Sequence, residues 1–257
     1  KLEEIESKAV VFLRPRRFGK TLFTNILKSY YDKKRFAQFD ENFSGTWIHS
    51  HRTPLAGSFC CLRLDFSRVQ SLPERISQGF IEAVIAGLID FTVSYPEIGL
   101  PPDKLTPDLY NSPVSLLLAF INNFKLKAGP ETRLFIIIDE YDHFANDVLS
   151  SDRDAFRELT STAAGHTGLI KNFYACIKSF IGDSDEQPIA GIFITGVSAV
   201  SLDSVTSGFN IAKNISADSR FNAMAGFTHD ELSEVVDETV DFSRLNGITK
   251  DQVMEVM

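Results

Sequence analysis

The sequence predicts an α/β fold with a mostly parallel sheet, and three observations carry that expectation. Short apolar runs rich in β-formers recur at 9–13, 59–66, 134–138 and 189–195. Stretches with helical apolar spacing separate them. Strands alternating with helices are the signature of a sheet with helical crossovers, and right-handed crossovers place those helices on both faces.

Ala9–Leu13 (AVVFL) is a short continuous apolar run, the pattern of a strand buried on both faces. It leads into Arg14-Pro15-Arg16-Arg17-Phe18-Gly19-Lys20-Thr21. Leu22, Phe23, Ile26, Leu27 and Tyr30 then follow at the spacing of one helix face. Residues 32–58 are polar and mixed, and hold His49, His51 and the sole Trp, Trp47. The run 59–66 (FCCLRLDF) reads as a second strand. Helical spacing returns over 72–93 at Ile76, Phe80, Val84 and Leu88. Pro96, Pro101, Pro102 and Pro107 mark an irregular segment.

Residues 112–126 read as a helix with Pro113 in its first turn. The run 134–138 (LFIII) is the strongest strand signal and ends in Asp139-Glu140. Residues 152–181 read as mainly helical with a break at 165–168, 189–195 as a strand, and 210–215 as a short last strand. Thr228-His229-Asp230-Glu231 is a capping box ahead of an amphipathic helix, and 249–252 repeats the signature.

The 257 residues fit one large or two small domains at about 150 residues each. A composition of 44% hydrophobic and 23% charged residues excludes a disordered tail, a collagen-like fibre and a coiled-coil rod. The 22 Phe predict a Phe-rich core. A net charge of −8 argues against a domain whose main task is coating duplex nucleic acid, and leaves room for a local basic patch. Cys60, Cys61 and Cys176 form neither a disulfide framework nor a metal set, so reduced thiols in a reducing, intracellular compartment are expected. No apolar run reaches the roughly 18 residues of a membrane span, so no membrane partner is expected. No secretory signal is visible, and the start at Lys1 suggests an upstream segment.

Gly19-Lys20-Thr21 matches the second half of the phosphate-loop pattern G-x-x-x-x-G-K-[ST], with Arg14 where the first glycine would stand. It sits where a strand turns into a helix, and backbone N–H groups at a helix start can hold an anion. There Lys20 can reach phosphates and Thr21 can offer its hydroxyl to Mg²⁺. A tight strand-to-helix turn with a solvated lysine is the plain alternative. Arg14, Arg16 and Arg17 can help to hold triphosphate.

The strand ending in Asp139-Glu140 reads as a Walker B element. Asp139 is placed to hold Mg²⁺, and Glu140 to orient and deprotonate an attacking water. The run 59–66 lies between loop strand and acidic strand in the chain, which points to the additional-strand class. Thr195, at the end of the next strand, can sense the γ-phosphate or hold the water. His49, His51, His143, His166 and His229 show no metal spacing. Ser198 and Ser201 have no triad partners in recognisable order.

Arg14 to Thr21 resembles the RPRRFGK[ST] loop of the AAA-ATPase-like family. Ile138-Asp139-Glu140-Tyr141-Asp142, Thr195-Gly196-Val197-Ser198, Gly208-Phe209-Asn210 and Gly226-Phe227-Thr228, with the acidic helix start Asp230-Glu231, resemble its later motifs in order. The resemblance implies a P-loop NTPase three-layer αβα sandwich over 1–222 and the beginning of a C-terminal helical lid over 223–257. It implies ATP and Mg²⁺ as ligands. Arg16, Arg17, Phe18, Gly19, Lys20, Thr21 and Leu22 would bind nucleotide, Thr21 and Asp139 the metal, and Glu140, Lys20 and Thr195 would serve catalysis. It also implies a segment before the loop strand and a lid continuing past Met257. Many members carry a PD-(D/E)XK-type nuclease domain, and related modules occur in Crinkler-type effectors delivered to host cells.

Three functional readings stay open on this sequence. The first is an ATP hydrolase coupled to conformational change or to an associated nuclease or effector. The second is a nucleotide-dependent switch with little turnover, self-association included. The third is a nucleic-acid-processing module using Arg14–Arg17 or Lys33-Lys34-Arg35. Arg220 is a candidate lid-side sensor. ATP against GTP preference is not encoded in any recognisable base-reading motif.

Overall fold

The computed structural model describes residues 1–69, 75–160, 162–163, 166–182, 187–198, 211–240 and 249–256. Its strands are β1 (Ala9–Leu13), β2 (Cys60–Asp65), β3 (Leu134–Asp139), β4 (Thr162–Ala163), β5 (His166–Thr167), β6 (Ile189–Gly196) and β7 (Ala212–Asn214). Five of them form one sheet in the order β2-β3-β6-β1-β7, and every pairing in it is parallel. Its helices begin with α1 (Lys20–Tyr31), α2 (Phe39–Phe43), α3 (Trp47–Ser50), α4 (Ile76–Ser94) and α5 (Pro113–Lys127). They continue with α6 (His143–Ser151), α7 (Arg153–Thr160) and α8 (Leu169–Lys178), and helices His229–Thr239 and Lys250–Val256 close the chain.

The period-2 alternation of the strands divides the core between the two sheet faces. Ile137 of β3 and Cys61 of β2 pack with Phe12, Phe193 and Leu27 on the α1 side. Ile136 and Ile138 join Leu62 and Leu64 in the larger core beneath α4, α5 and α8. The expected wealth of Phe is divided between the two cores, with Phe12, Phe39, Phe43 and Phe193 on the α1 side and Phe66, Phe80, Phe120 and Phe173 in the larger one. Phe66 stacks on Phe80 at 4.4 Å between centroids, and Phe173 meets Phe80 edge-on at 5.0 Å. Each such fully buried ring contributes roughly 1.5–3 kcal/mol. The result is an α/β sandwich of three layers, as the sequence predicts.

Local signals explain most boundaries. Ser112 caps α5 by accepting from the Ser115 N–H at 3.2 Å, with Pro113 at the first helical position. Thr228 and Glu231 form the expected reciprocal box at the start of His229–Thr239. Thr249 and Gln252 likewise exchange hydrogen bonds at the start of Lys250–Val256. The cysteines are free thiols. Burial pushes the Cys60 thiol up to about 11, which keeps it protonated and unreactive near neutrality.

Four features differ from the sequence reading. A strand does stand between β1 and β3 in the sheet, as the additional-strand class expects, but it is β6, while the 59–66 run that precedes β3 in the chain forms the edge strand β2. Chain order and spatial order diverge because parallel crossovers let a later strand insert between earlier ones. Second, the segment read as helix with a break contains the small antiparallel pair β4–β5. Third, Leu22 and Ile26 of α1 point outward, 65% and 42% exposed, while Thr24 turns inward at 0%. The inward face of α1 therefore meets the sheet edge through a hydroxyl. Fourth, α4 is 19 residues long and apolar enough to cross a membrane by length and composition. Ile76, Phe80, Val84, Leu88 and Phe91 on it are buried within the domain core.

Candidate functional site

The site is assembled where β1, β6 and β3 end. β1 delivers residues 14–19 to the start of α1, and Gly19 takes the left-handed conformation there (φ 79°). Only glycine adopts that geometry without cost. Arg17 is also left-handed at φ 71°, a strained state for a residue with a Cβ. Two positive-φ residues in three turn the loop so tightly that Lys20 can begin the helix.

Lys20 is 4% exposed. Its Nζ donates to the Pro15 carbonyl at 3.1 Å and lies 3.3 Å from Glu140 Oε1. The cationic loop and the acid pair, distant in the sequence, therefore meet in space. Glu140 itself has φ 54°. Strained backbone of this kind persists where the surrounding structure over-determines it, and it clusters at functional sites. Arg16 also crosses to the acidic side, with Nη2 3.5 Å from His143 Nδ1.

Asp139 ends β3 and is 1% exposed. Its Oδ2 accepts from Arg63 Nη2 at 2.8 Å and from Thr24 Oγ1 at 3.5 Å. Its Oδ1 is buried with no hydrogen-bond partner among the described residues, and so is Thr195 Oγ1. Burying polar atoms unpaired costs free energy. Both atoms lie at the sheet's carboxyl edge, and buried polar atoms without partners are rare enough to call for an explanation.

The remaining expected residues sit on the outer rim. Arg17, Phe18, Thr21 and Leu22 are exposed on the loop and first turn. A Cβ on Gly226 would lie 2.6 Å from Phe18 Cδ1, so the ring packs against the segment leading to helix His229–Thr239. Arg14 departs from the sequence reading. Its Nη1 donates to the Leu13 and Ser216 carbonyls at 3.1 and 2.7 Å, and its guanidinium lies 4.4 Å over the Phe12 ring. It fastens the loop to the segment after β7, because those carbonyls compete successfully for its donors. Arg220 is held by Asp218 through Nε at 3.0 Å and Nη2 at 2.6 Å. Residues 208–210 and Ser201 lie outside the described residues.

Sequence reasoning missed Arg63, Thr24, Asp65 and Asp142. The signal for Arg63 was present: Cys61, Arg63 and Asp65 alternate onto one face of β2, and a charge inside an apolar strand asks for a partner. Asp142 is 0% exposed. It accepts from the Val197 N–H at 3.1 Å, the Ser198 N–H at 2.6 Å and Asn146 Nδ2 at 2.8 Å. It thereby clamps the turn after β6 to the start of α6. Gly196 must lack a side chain here, since a Cβ would lie 2.4 Å from Asp142 Oδ1 and 2.5 Å from Tyr141 Cδ1.

A five-stranded parallel sheet, a glycine-lysine turn into a helix and an acidic strand end one strand removed from the loop strand define the class of P-loop NTPase-like domains. The family described as "Predicted AAA-ATPase" matches residues 1–206, and the chain belongs to that family. The chain is also similar, at 29% identity over 261 residues, to a protein of Azotobacter chroococcum mcd 1 described as "Uncharacterized protein in vnfD 5'region". That alignment covers 98% of this chain and 42% of the relative, so the chain spans less than half of that protein's length. No solved structure matches.

Proposed function

We propose that the domain binds ATP with Mg²⁺ and hydrolyses it to ADP and phosphate. One observation carries this reading: Lys20 of the loop and Glu140 of the acid pair meet at 3.3 Å, beside a buried Asp139 oxygen that lacks a partner. Backbone N–H groups at the start of α1 suit an anionic phosphate chain. Lys20 exchanges its contact with Glu140 for a phosphate oxygen. Glu140, freed of Lys20, orients the attacking water and takes its proton. Thr195, whose buried hydroxyl has no hydrogen-bond partner among the described residues, would help to hold that water or sense the γ-phosphate.

The donor set fits a magnesium ion. Among the described residues no group of three or more His, Cys, Asp or Glu could hold a metal. Mg²⁺ needs no such cage, since it keeps several waters and takes one or two carboxylates plus substrate phosphates. Asp139, through its orphaned Oδ1, and Thr21 would hold it. When bound, it would neutralise charge on the phosphates.

The test measures binding and turnover separately. Lys20→Ala is expected to weaken binding of a fluorescent ATP analogue by about a hundredfold or more. Glu140→Gln should keep binding and lower phosphate release by about 10²–10⁴-fold, the range for general-base removal. Parent-like binding and turnover in both variants would overturn the assignment.

A second reading, a nucleotide-dependent switch with little turnover, draws on the packing of Phe18 against Gly226. A loop reshaped by nucleotide would move that contact and with it the following helix. Slow hydrolysis with a nucleotide-dependent change in oligomer mass by light scattering would favour it. An intracellular location and a nucleic-acid partner through an associated nuclease belong to the same proposal.

A further inference from the structure

Among the described residues Arg63 is the cation paired with the buried acid of the site, and its geometry is incomplete. A guanidinium facing a carboxylate normally forms two parallel hydrogen bonds. Here a single Nη2 reaches Asp139 Oδ2 at 2.8 Å, while Arg63 Nε and Asp139 Oδ1 are both buried without partners. The same Nη2 lies 3.3 Å from Asp65 Oδ2, on a side chain 39% exposed. One donor atom is thus shared between a buried carboxylate at the site and a half-open one beside it. The register explains the pairing: Asp65 stands directly opposite Asp139 across β2 and β3, with Arg63 two residues earlier on the same face.

We infer that Arg63 is a positioning residue that serves as an exchangeable counter-ion for Asp139, passing to Asp65 when a divalent cation takes the Asp139 carboxylate. The inference rests on the nucleotide reading above. Without a bound cation Arg63 neutralises a carboxylate that burial would otherwise leave uncompensated. A cation arriving at Asp139 must compete with that guanidinium. Asp65 lowers the barrier to the exchange, because it offers Arg63 a second anion already 3.3 Å from the same nitrogen. The arrangement tunes metal affinity downward, since a cation at the unpaired Oδ1 meets a carboxylate whose charge Arg63 already holds through Oδ2, and binding favours the molecules in which Arg63 has passed to Asp65.

The test follows thermal unfolding of the whole domain with ADP while Mg²⁺ is titrated, so that no turnover is needed. The readout is the Mg²⁺ concentration giving half of the ADP-dependent rise in Tm. Arg63→Gln should lower that midpoint by about tenfold while lowering the Tm of the ligand-free domain. Asp65→Asn removes the second anion, leaves Arg63 on Asp139, and should raise the midpoint by about threefold or more. Opposite movements of the two midpoints support the exchange. A midpoint that stays put or rises in Arg63→Gln, or that falls or stays put in Asp65→Asn, overturns it and leaves the nucleotide reading intact. If Arg63→Gln does not fold, the Asp65→Asn midpoint decides alone. A parent domain whose Tm is unmoved by ADP at any Mg²⁺ concentration overturns the nucleotide reading and this inference with it.

Discussion

Two buried aspartates stand at opposite ends of the sheet, and they are solvated by the protein in different ways. Asp32, beyond the C-terminus of α1 and beside the start of β2, is 2% exposed. Its Oδ1 accepts from Tyr95 OH at 2.8 Å and the Lys34 N–H at 2.9 Å, and its Oδ2 from the Cys61 N–H at 3.1 Å. Both oxygens are served. Burial, reinforced by the bond to Asp32, drives the Tyr95 phenol far above its ordinary range, so its proton stays in place at any physiological pH. Asp139 is equally buried, yet one oxygen is unserved and the other shares a single guanidinium nitrogen. Burial alone therefore does not separate these two acids. The completeness of their hydrogen bonding does.

The largest expected effect on stability comes from breaking the complete end. Asp32→Ala leaves a buried hydroxyl and two backbone N–H groups without their acceptor, and should cost about 3 kcal/mol or more in urea unfolding. Nucleotide affinity should hardly change. Asp139→Asn should do the reverse. The amide keeps an acceptor for Arg63 and sheds a poorly served buried charge, so stability should stay within about 1 kcal/mol of the parent, while the Mg²⁺-dependent part of ATP binding disappears. If Asp139→Asn unfolded the domain as badly as Asp32→Ala, the distinction between the two ends would be lost.

The smallest effect belongs to a half-buried surface acid that serves as the reference. Hydrogen bonds from Arg220 hold the Asp218 carboxyl down at about 2. A depressed pKa contributes stability above the unfolded value of about 3.8, and that contribution is lost as pH falls through about 2. A carboxyl NMR titration should place the Asp218 midpoint near 2 and return it toward 3.8 in Arg220→Gln. With the Arg220 and Asp218 side chains 46% and 24% exposed, solvent screens this pair and leaves it little leverage on the fold.

Much of this was legible in the chain. The run LFIII ending in Asp139-Glu140, the Gly19-Lys20-Thr21 turn and the capping box at Thr228 each announce an element through local chemistry. The clamp made by Asp142, the inward turn of Thr24 and the anchoring of Arg14 on the Ser216 carbonyl were not legible. Each depends on partners from a different part of the chain, and hydrophobic periodicity says nothing about which polar groups will meet.

The sequence by itself determined the alternating strands and helices, the phosphate-loop turn and the acidic strand end, because propensity, capping and apolar spacing act over a few neighbouring residues. Only the tertiary structure decided that β6 would separate β1 from β3, that Lys20 would rest against Glu140, and that Asp139 would share one nitrogen of Arg63 with Asp65. Those outcomes follow from how strands are ordered in a sheet. That order is set by packing the whole chain around two cores, and no single segment carries it.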